Sequence, residues 1–513
     1  MSVPIADSPV PEEPKQPDAE VKGAVPAPDA PADANEDDDD DEDEEERVRK
    51  QRRAAAASDA VVSELYLDTV NRTMLDFDFE KLCSVSLSNL NVYACLVCGK
   101  YFQGRGSSSH AYVHSVHQNH HVFINLLTLR IYILPDGYEV TQRSLDDIKY
   151  VIRPTFTHEQ VSLLDARLVY SYDLNNKRFL PGFVGLNNVK ANDYINVAVQ
   201  ALAHVAPLRD FFLLNDMEGK SDLVIRLSTL LRKLWSPLSY KSHVAPHELL
   251  QAISAASEKR FSFTEQGDVV DFLGWFLNEI HKGLTGGKMK KGCESIIHET
   301  FQGQFQMQTQ VLELTRGSLH KNDKQLKNFD EGAEIKTTKS PFLFLALDLP
   351  PAPLFQDEMD KNIIPQVALS TLLNKYDGAT GQESANLLRR FRLLDPPRYL
   401  VFHIKRFTRN NWTTEKNPTI VTFPIKNLDM RPLLPEVPAT LETRFDLIAN
   451  IIHEGRADQQ GTYKVHLRGP ATGETEQWYA IQDLIVEEIL PQMIFLSESY
   501  VQIWERKDVR QST

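Results

Sequence analysis

The chain has 513 residues, 42% of them hydrophobic, with 56 Lys and Arg against 71 Asp and Glu, a formal charge of −15. That length predicts more than one domain, and that apolar fraction excludes a chain disordered throughout. No apolar run approaches the ~18–20 residues of a membrane helix, and the start of the chain lacks the basic and apolar regions of a secretory signal, so no membrane partner is expected.

The charge is unevenly placed. Residues 1–58 hold 18 acidic and 7 basic side chains, a balance of −11 that leaves −4 for the remainder. Glu36 to Glu46 is an unbroken acidic run; like charges at that density repel and bury no apolar surface, so 1–58 is predicted to be a disordered acidic tail. Arg47-Val-Arg-Lys-Gln-Arg-Arg53 follows, readable either as a nuclear import signal or as a helix start that neutralises the acids. A near-neutral remainder gives no broad grip on nucleic acid, so direct contact with RNA is expected to be minor. Four cysteines cannot make a disulfide framework, which favours a reducing compartment.

From Ser63 the texture becomes globular, and Leu65 to Leu82 has helical spacing of apolar residues. A Cys/His-rich stretch runs to His121, followed by strand-like runs at 122–127 and 129–134 and the turn Pro135-Asp136-Gly137. These predict a compact domain at 59–170, then a polar linker or opening loop from Tyr172 to Arg178. Residues 193–285 have helical periodicity, with Tyr194, Val197, Ala198, Ala201 and Leu202 on one face. Lys282 to Lys291 reads as a mobile Gly- and Lys-rich loop. From 296 onward strands dominate, among them 342–349, 399–404 and 500–504. Helices first and strands later predict an α+β domain over 178–508.

Five of the fifteen histidines fall within residues 110–121. Zinc takes four soft or borderline ligands in a tetrahedron, and Cys95-Leu-Val-Cys98 sets two thiolates on one turn. With His114 and His120 they make a closed, structural site, which leaves no position for water. His110 and Cys83 stand as alternative ligands. A small domain gains much of its folding energy from such a metal.

Cys98-Gly-Lys-Tyr-Phe-Gln-Gly-Arg-Gly, with Ser109-His-Ala-Tyr-Val-His114 and His120-His-Val-Phe, resembles the UBP-type zinc finger of ubiquitin proteases. That finger holds the C-terminal Gly-Gly of ubiquitin with an arginine whose place here is taken by Lys100. Lysine lacks the planar fork that grips a carboxylate in two places, so ubiquitin binding is not expected.

From Pro181 the chain resembles the ubiquitin-specific proteases, which implies their papain-like fold. The first box of that family matches Gly185-Leu-Asn-Asn-Val-Lys-Ala-Asn-Asp-Tyr-Ile-Asn-Val-Ala-Val-Gln200, with Asp193 at the nucleophilic cysteine. Gln266-Gly-Asp-Val-Val-Asp-Phe272, Lys405-Arg-Phe407 and Phe423-Pro424 match further boxes. His453-Glu-Gly455 matches the His box, whose second half, Gly461-Thr-Tyr463, puts Thr462 at the general base. The third member falls at Gln482 or Asp483, and Asn188 matches the oxyanion-hole residue. Without thiolate or imidazole the chemistry has no nucleophile and no base, so these positions are degenerate and none is catalytic. Cys293 as a displaced nucleophile is disfavoured, since it follows the Lys-rich loop far from the Asn188 box. A second, fingers-type zinc site lacks its cysteines.

Within that family Tyr93 to Gly106, Lys190-Ala-Asn-Asp-Tyr194 and Leu490-Pro-Gln-Met493 resemble the inactive branch associated with the tri-snRNP. That resemblance implies a nuclear, non-catalytic scaffold for pre-mRNA splicing, with spliceosomal snRNP proteins as partners. An active or cryptic cysteine deubiquitinase and a ubiquitin-binding adaptor are the alternatives.

Overall fold

A computed structural model describes residues 66–507 apart from 79, 288–293, 312–334, 352–363, 385–386, 410–413, 435–436, 439, 457–460 and 473–474. The acidic tail, the basic cluster and Cys293 therefore lie outside the described residues. In the N-terminal part, Val92–Cys95 (β1), Tyr101–Gln103 (β2), Val122–Asn125 (β3), Ile131–Ile133 (β4) and Tyr138–Val140 (β5) form an antiparallel sheet, ordered β2-β1-β3-β4-β5. Side chains alternate across it, as the pleat requires. Val92, Ala94, Ile124 and Ile131 face one core with Ile148 of helix α2 (Asp146–Ile152), while Tyr93, Phe123 and Tyr132 face another with Ala111 of helix α1 (His110–Gln118).

Among the described residues, the helix expected over 65–82 is not formed. Only the short turns Leu67–Thr69 and Arg72–Met74 appear, and between them the backbone bonds sideways: Asn71 N–H donates to Leu96 O at 3.0 Å. The segment continues as an acidic strap along the large domain. Asp76 pairs with Lys241, Asp78 with Lys233 at 2.7 Å, and Glu80 with His247 at 2.9 Å.

After α3 (His158–Leu163), the predicted linker is instead a small hairpin, Ser171–Tyr172 (β6) against Arg178–Phe179 (β7). Asp173 Oδ1 makes its turn by accepting the N–H groups of Asn175 and Lys177, both at 2.8 Å. Gly185–Leu186 (β8) then pairs in parallel with His243–Val244 (β9). Helices α4 (Asp193–Ala203), α5 (Ala206–Leu214), α6 (Asp222–Leu234), α7 (His247–Ala256) and α8 (Val269–Leu284) follow the periodicity predicted over 193–285, whereas α9 (Ile296–Phe301) forms where strands were expected. α4 is buried along its whole length, a core helix surrounded on every face. α8 starts where Asp268 Oδ1 accepts the N–H groups of Val270 and Asp271, and it carries Lys282–Leu284, which sequence had placed in a loop.

Strands dominate the rest, with short helices at Leu369–Leu373 and Pro491–Ile494. Gly303–Val311 (β10), Lys336–Phe342 (β11), Asp377–Ser384 (β14) and Leu387–Asp395 (β15) form a four-stranded sheet, ordered β11-β10-β15-β14. An eight-stranded sheet holds Leu345–Asp348 (β12), Tyr399–Lys405 (β16), Leu428–Asp429 (β20), Arg444–Glu454 (β21), Thr462–Thr472 (β22), Thr475–Gln482 (β23), Ile485–Ile489 (β24) and Ser499–Arg506 (β25). Its main path runs β12-β16-β25-β21-β22-β23-β24. Gln366–Ala368 (β13) pairs with Ile420–Thr422 (β19), and Phe407–Arg409 (β17) with Thr414–Lys416 (β18). The run 342–349, expected as one strand, splits between β11 and β12, which belong to different sheets.

One face of the large sheet packs on α4 and α8 through Tyr463, Val465 and Val501 against Val197 and Phe272. The other buries Phe402, Trp478 and Trp504 in a second core. The architecture is the expected α+β, and it places the start of α4 against the start of β22.

Candidate functional site

Cys95, Cys98, His114 and His120 converge on one point, their ligand atoms all within 4.8 Å of one another. His114 Nε2 lies 3.1 Å from His120 Nδ1 and 3.4 Å from Cys98 Sγ, and Cys95 Sγ lies 3.6 Å from His120 Nδ1. A tetrahedral zinc with bonds of about 2.0–2.3 Å spaces neighbouring ligand atoms about 3.3–3.8 Å apart, so the donor set fits that ion. Of this coupled pair, the Cys98 thiol is lowered, first by the hydrogen bond from Cys95, while the Cys95 thiol is raised by that same bond and by burial. The two alternative ligands are elsewhere. Cys83 Sγ accepts the N–H groups of Val85 and Ser86, and His110 opens α1 outside the cluster. His121 is occupied by Leu134 O at 2.7 Å and Asn119 Oδ1 at 2.8 Å. Lys100 is exposed. Arg105, which the sequence reading passed over, lies over the Tyr132 ring at 4.3 Å.

The second centre forms where α4 meets the sheet. Asp193, first residue of α4, is 4% exposed. Its Oδ2 accepts Gln266 Nε2 at 2.6 Å and the Tyr463 backbone N–H at 3.0 Å. Gln266 also donates to Gly461 O at 2.7 Å, so one amide spans helix and sheet. Burial, the largest influence, raises the Asp193 carboxyl above the usual carboxylate range, and the two hydrogen bonds oppose it. The result is a carboxylate held in place by donors.

Asp483 lies in the turn between β23 and β24 with φ of 50°, a left-handed conformation that Asp tolerates. Gly185 lets β8 approach this turn, since a Cβ there would meet Leu484 Cα at 2.7 Å. Leu186 N–H accordingly reaches Asp483 O at 2.9 Å. The Asp483 carboxylate takes Asn196 Nδ2 at 2.9 Å and Asn188 Nδ2 at 3.0 Å. Of the two candidates for the third position, Asp483 therefore joins this network. Gln482 ends β23, paired with Ile485. The amide of Asn188, at the matched oxyanion-hole position, is bonded to Asp483.

Thr462 opens β22 opposite Glu454 and is exposed. His453, 5% exposed on β21, packs edge-on to Phe407 and Tyr463. Burial lowers it to about 4, so it is neutral at pH 7. Gly461 permits this packing, because a Cβ would meet the His453 ring at 2.3 Å. Lys416 Nζ holds the segment by donating to His453 O at 2.7 Å and Gly455 O at 2.9 Å, and it pairs with Glu498. Arg406 of the Lys-Arg-Phe box is fully buried and donates to the carbonyls of Ser499 and Asn417 at 2.7–2.9 Å. Sequence reasoning found the positions of this centre but missed the bridging role of Gln266; its only signal was its place at the head of the α8 box.

The family described as ubiquitin carboxyl-terminal hydrolase matches residues 184–504, and that described as Zn-finger in ubiquitin-hydrolases and other protein matches 83–145. The matched finger is a zinc-binding domain, and the Cys95, Cys98, His114 and His120 cluster can hold its ion. The chain is 50% identical over 455 residues to the probable mRNA-splicing protein ubp10 of Schizosaccharomyces pombe, covering 87% of this chain and 89% of that protein. It is 51% identical over 459 residues to ubiquitin carboxyl-terminal hydrolase 39 of Homo sapiens, covering 86% of this chain and 80% of that protein. Among solved structures, an essential yeast splicing factor superposes with a TM-score of 0.68 at 28% identity, over 86% of this chain and all of that one.

Proposed function

The chain belongs to the ubiquitin carboxyl-terminal hydrolase family, and on that premise we propose that it is a non-catalytic member acting in pre-mRNA splicing, a nuclear scaffold of the spliceosomal tri-snRNP. The observation that carries the reading is Asp193. At the family's nucleophile position stands a buried carboxylate bonded to Gln266 and to the Tyr463 N–H. A carboxylate so held is a poor nucleophile toward an isopeptide carbonyl, and Thr462 offers no imidazole to take or return a proton. The names of the relatives support the splicing role. Cys95, Cys98, His114 and His120 hold one structural zinc in the finger at 59–170, and the protease-like domain spans 178–508. Spliceosomal snRNP proteins are the partners.

Co-purification tests this. The tagged full chain in nuclear extract is expected to recover snRNP proteins at near-stoichiometric levels. Their absence, with the chain itself folded and recovered, overturns the splicing assignment.

A further inference from the structure

The large sheet ends at β24, which pairs with β23 on one side and with no strand on the other among the described residues. An edge strand turns alternate N–H and C=O groups outward, a template on which another strand can align. Ile485–Ile489 itself contains neither Lys nor Pro. Of the 21 large apolar side chains exposed among the described residues, Leu484, Ile485, Leu490, Met493 and Leu496 fall within thirteen positions on and beside it. A cluster of that kind marks an interaction surface rather than the ordinary scatter of surface leucines. A groove lined by Ile425, Trp478, Ile489 and Leu490 continues the strand at its far end.

Charge selects the occupant. Glu487 and Glu488 are exposed on β24 and make no ion pair among the described residues. Lys426, at the groove, is taken by Glu476 at 3.1 Å. A second copy docking edge to edge would set these acids against themselves, and an acidic segment would be repelled likewise. We propose that β24 is a docking edge for an extended segment of a partner protein that carries Lys or Arg between apolar residues. Main-chain hydrogen bonds would add the segment as a further strand, and Glu487 and Glu488 would fix its charge and register. This surface is independent of the splicing assignment.

Hydrogen–deuterium exchange on the full chain tests it. The probe is a set of ten-residue peptides alternating Val, Ile or Thr with Lys or Arg, beside an acidic set of the same pattern. Basic peptides are expected to bind saturably and slow exchange at 485–489. The double variant Glu487→Lys with Glu488→Lys, both exposed positions, is expected to keep the fold and bind about tenfold more weakly. Three results overturn the proposal: unchanged exchange at 485–489 with every basic peptide, equal protection by the acidic set, or an edge already protected in the free chain by its own tail or a second copy.

Discussion

Asp193 Oδ2 accepts the backbone N–H of Tyr463 at 3.0 Å, which ties the first turn of α4 to the start of β22. Where the family's chemistry calls for a thiol facing an imidazole, a side chain bolts helix to sheet. Removing it in Asp193→Ala leaves the Tyr463 N–H and Gln266 amide short of an acceptor, at a cost of about 1–3 kcal/mol. Asp193→Asn keeps an acceptor without the charge. Because the folded carboxyl is raised by burial, its contribution to stability is present below the unfolded pKa and lost as pH rises through the folded one. The Asn variant is free of that loss. Urea midpoints at pH 7 should therefore rank Asn at or above the parent and Ala below; an Ala variant as stable as the parent contradicts the bolt.

Zinc should load at one ion per chain and depend on four residues. Elemental analysis of Cys98→Ser or His120→Ala is expected to show zinc lost, while His110→Ala and Cys83→Ser keep it. Chelation should unfold the finger, since one of its cores includes Cys95 and packs against Cys98. Zinc retained in Cys98→Ser, or lost in His110→Ala, rejects this ligand set.

Arg406 is a core residue despite its charge. Its guanidinium is the shared donor to Ser499 O and Asn417 O, joining β25 to the segment after β18. Burial lowers it to about 10, so it remains cationic at neutral pH. Arg406→Met should cost about 3 kcal/mol through the carbonyls it strands, read as a lower denaturation midpoint. A midpoint within error of the parent would show that those carbonyls find other donors.

Acid should destabilise the large domain early. His453 and His466, at 5% and 6% exposure, are both lowered to about 4 from 6.5 by burial. For such depressed imidazoles the stability is fully present above the unfolded value and is lost as pH falls from 6.5 toward 4, on the order of 3 kcal/mol each over the full window. All five tryptophans lie at or beyond residue 235, so their fluorescence follows this domain and not the zinc site. Denaturation midpoints should fall from pH 7 to pH 5, and a flat profile refutes neutral, buried imidazoles.

Much of this was legible in the chain itself, for physical reasons. Two thiolates three positions apart and histidines six apart declare a metal geometry before any fold is known. Asp193 and Thr462 could be placed because the boxes around them keep their spacing. Periodicity failed where backbone bonds leave the local segment. Apolar spacing over 65–82 looked helical, yet Asp76, Asp78 and Glu80 pair with the large domain, more than 150 residues onward. The choice between Gln482 and Asp483 was equally beyond spacing, since it turns on one left-handed residue that swings its carboxylate to Asn188 and Asn196.

The central claim is that this centre performs no hydrolysis. Full-length chain, loaded with zinc, should be incubated at micromolar concentration with ubiquitin bearing a fluorogenic C-terminal amide. The account predicts no release above buffer, for the parent and for Asp193→Ala alike. Turnover by the parent that Asp193→Ala abolishes would contradict it.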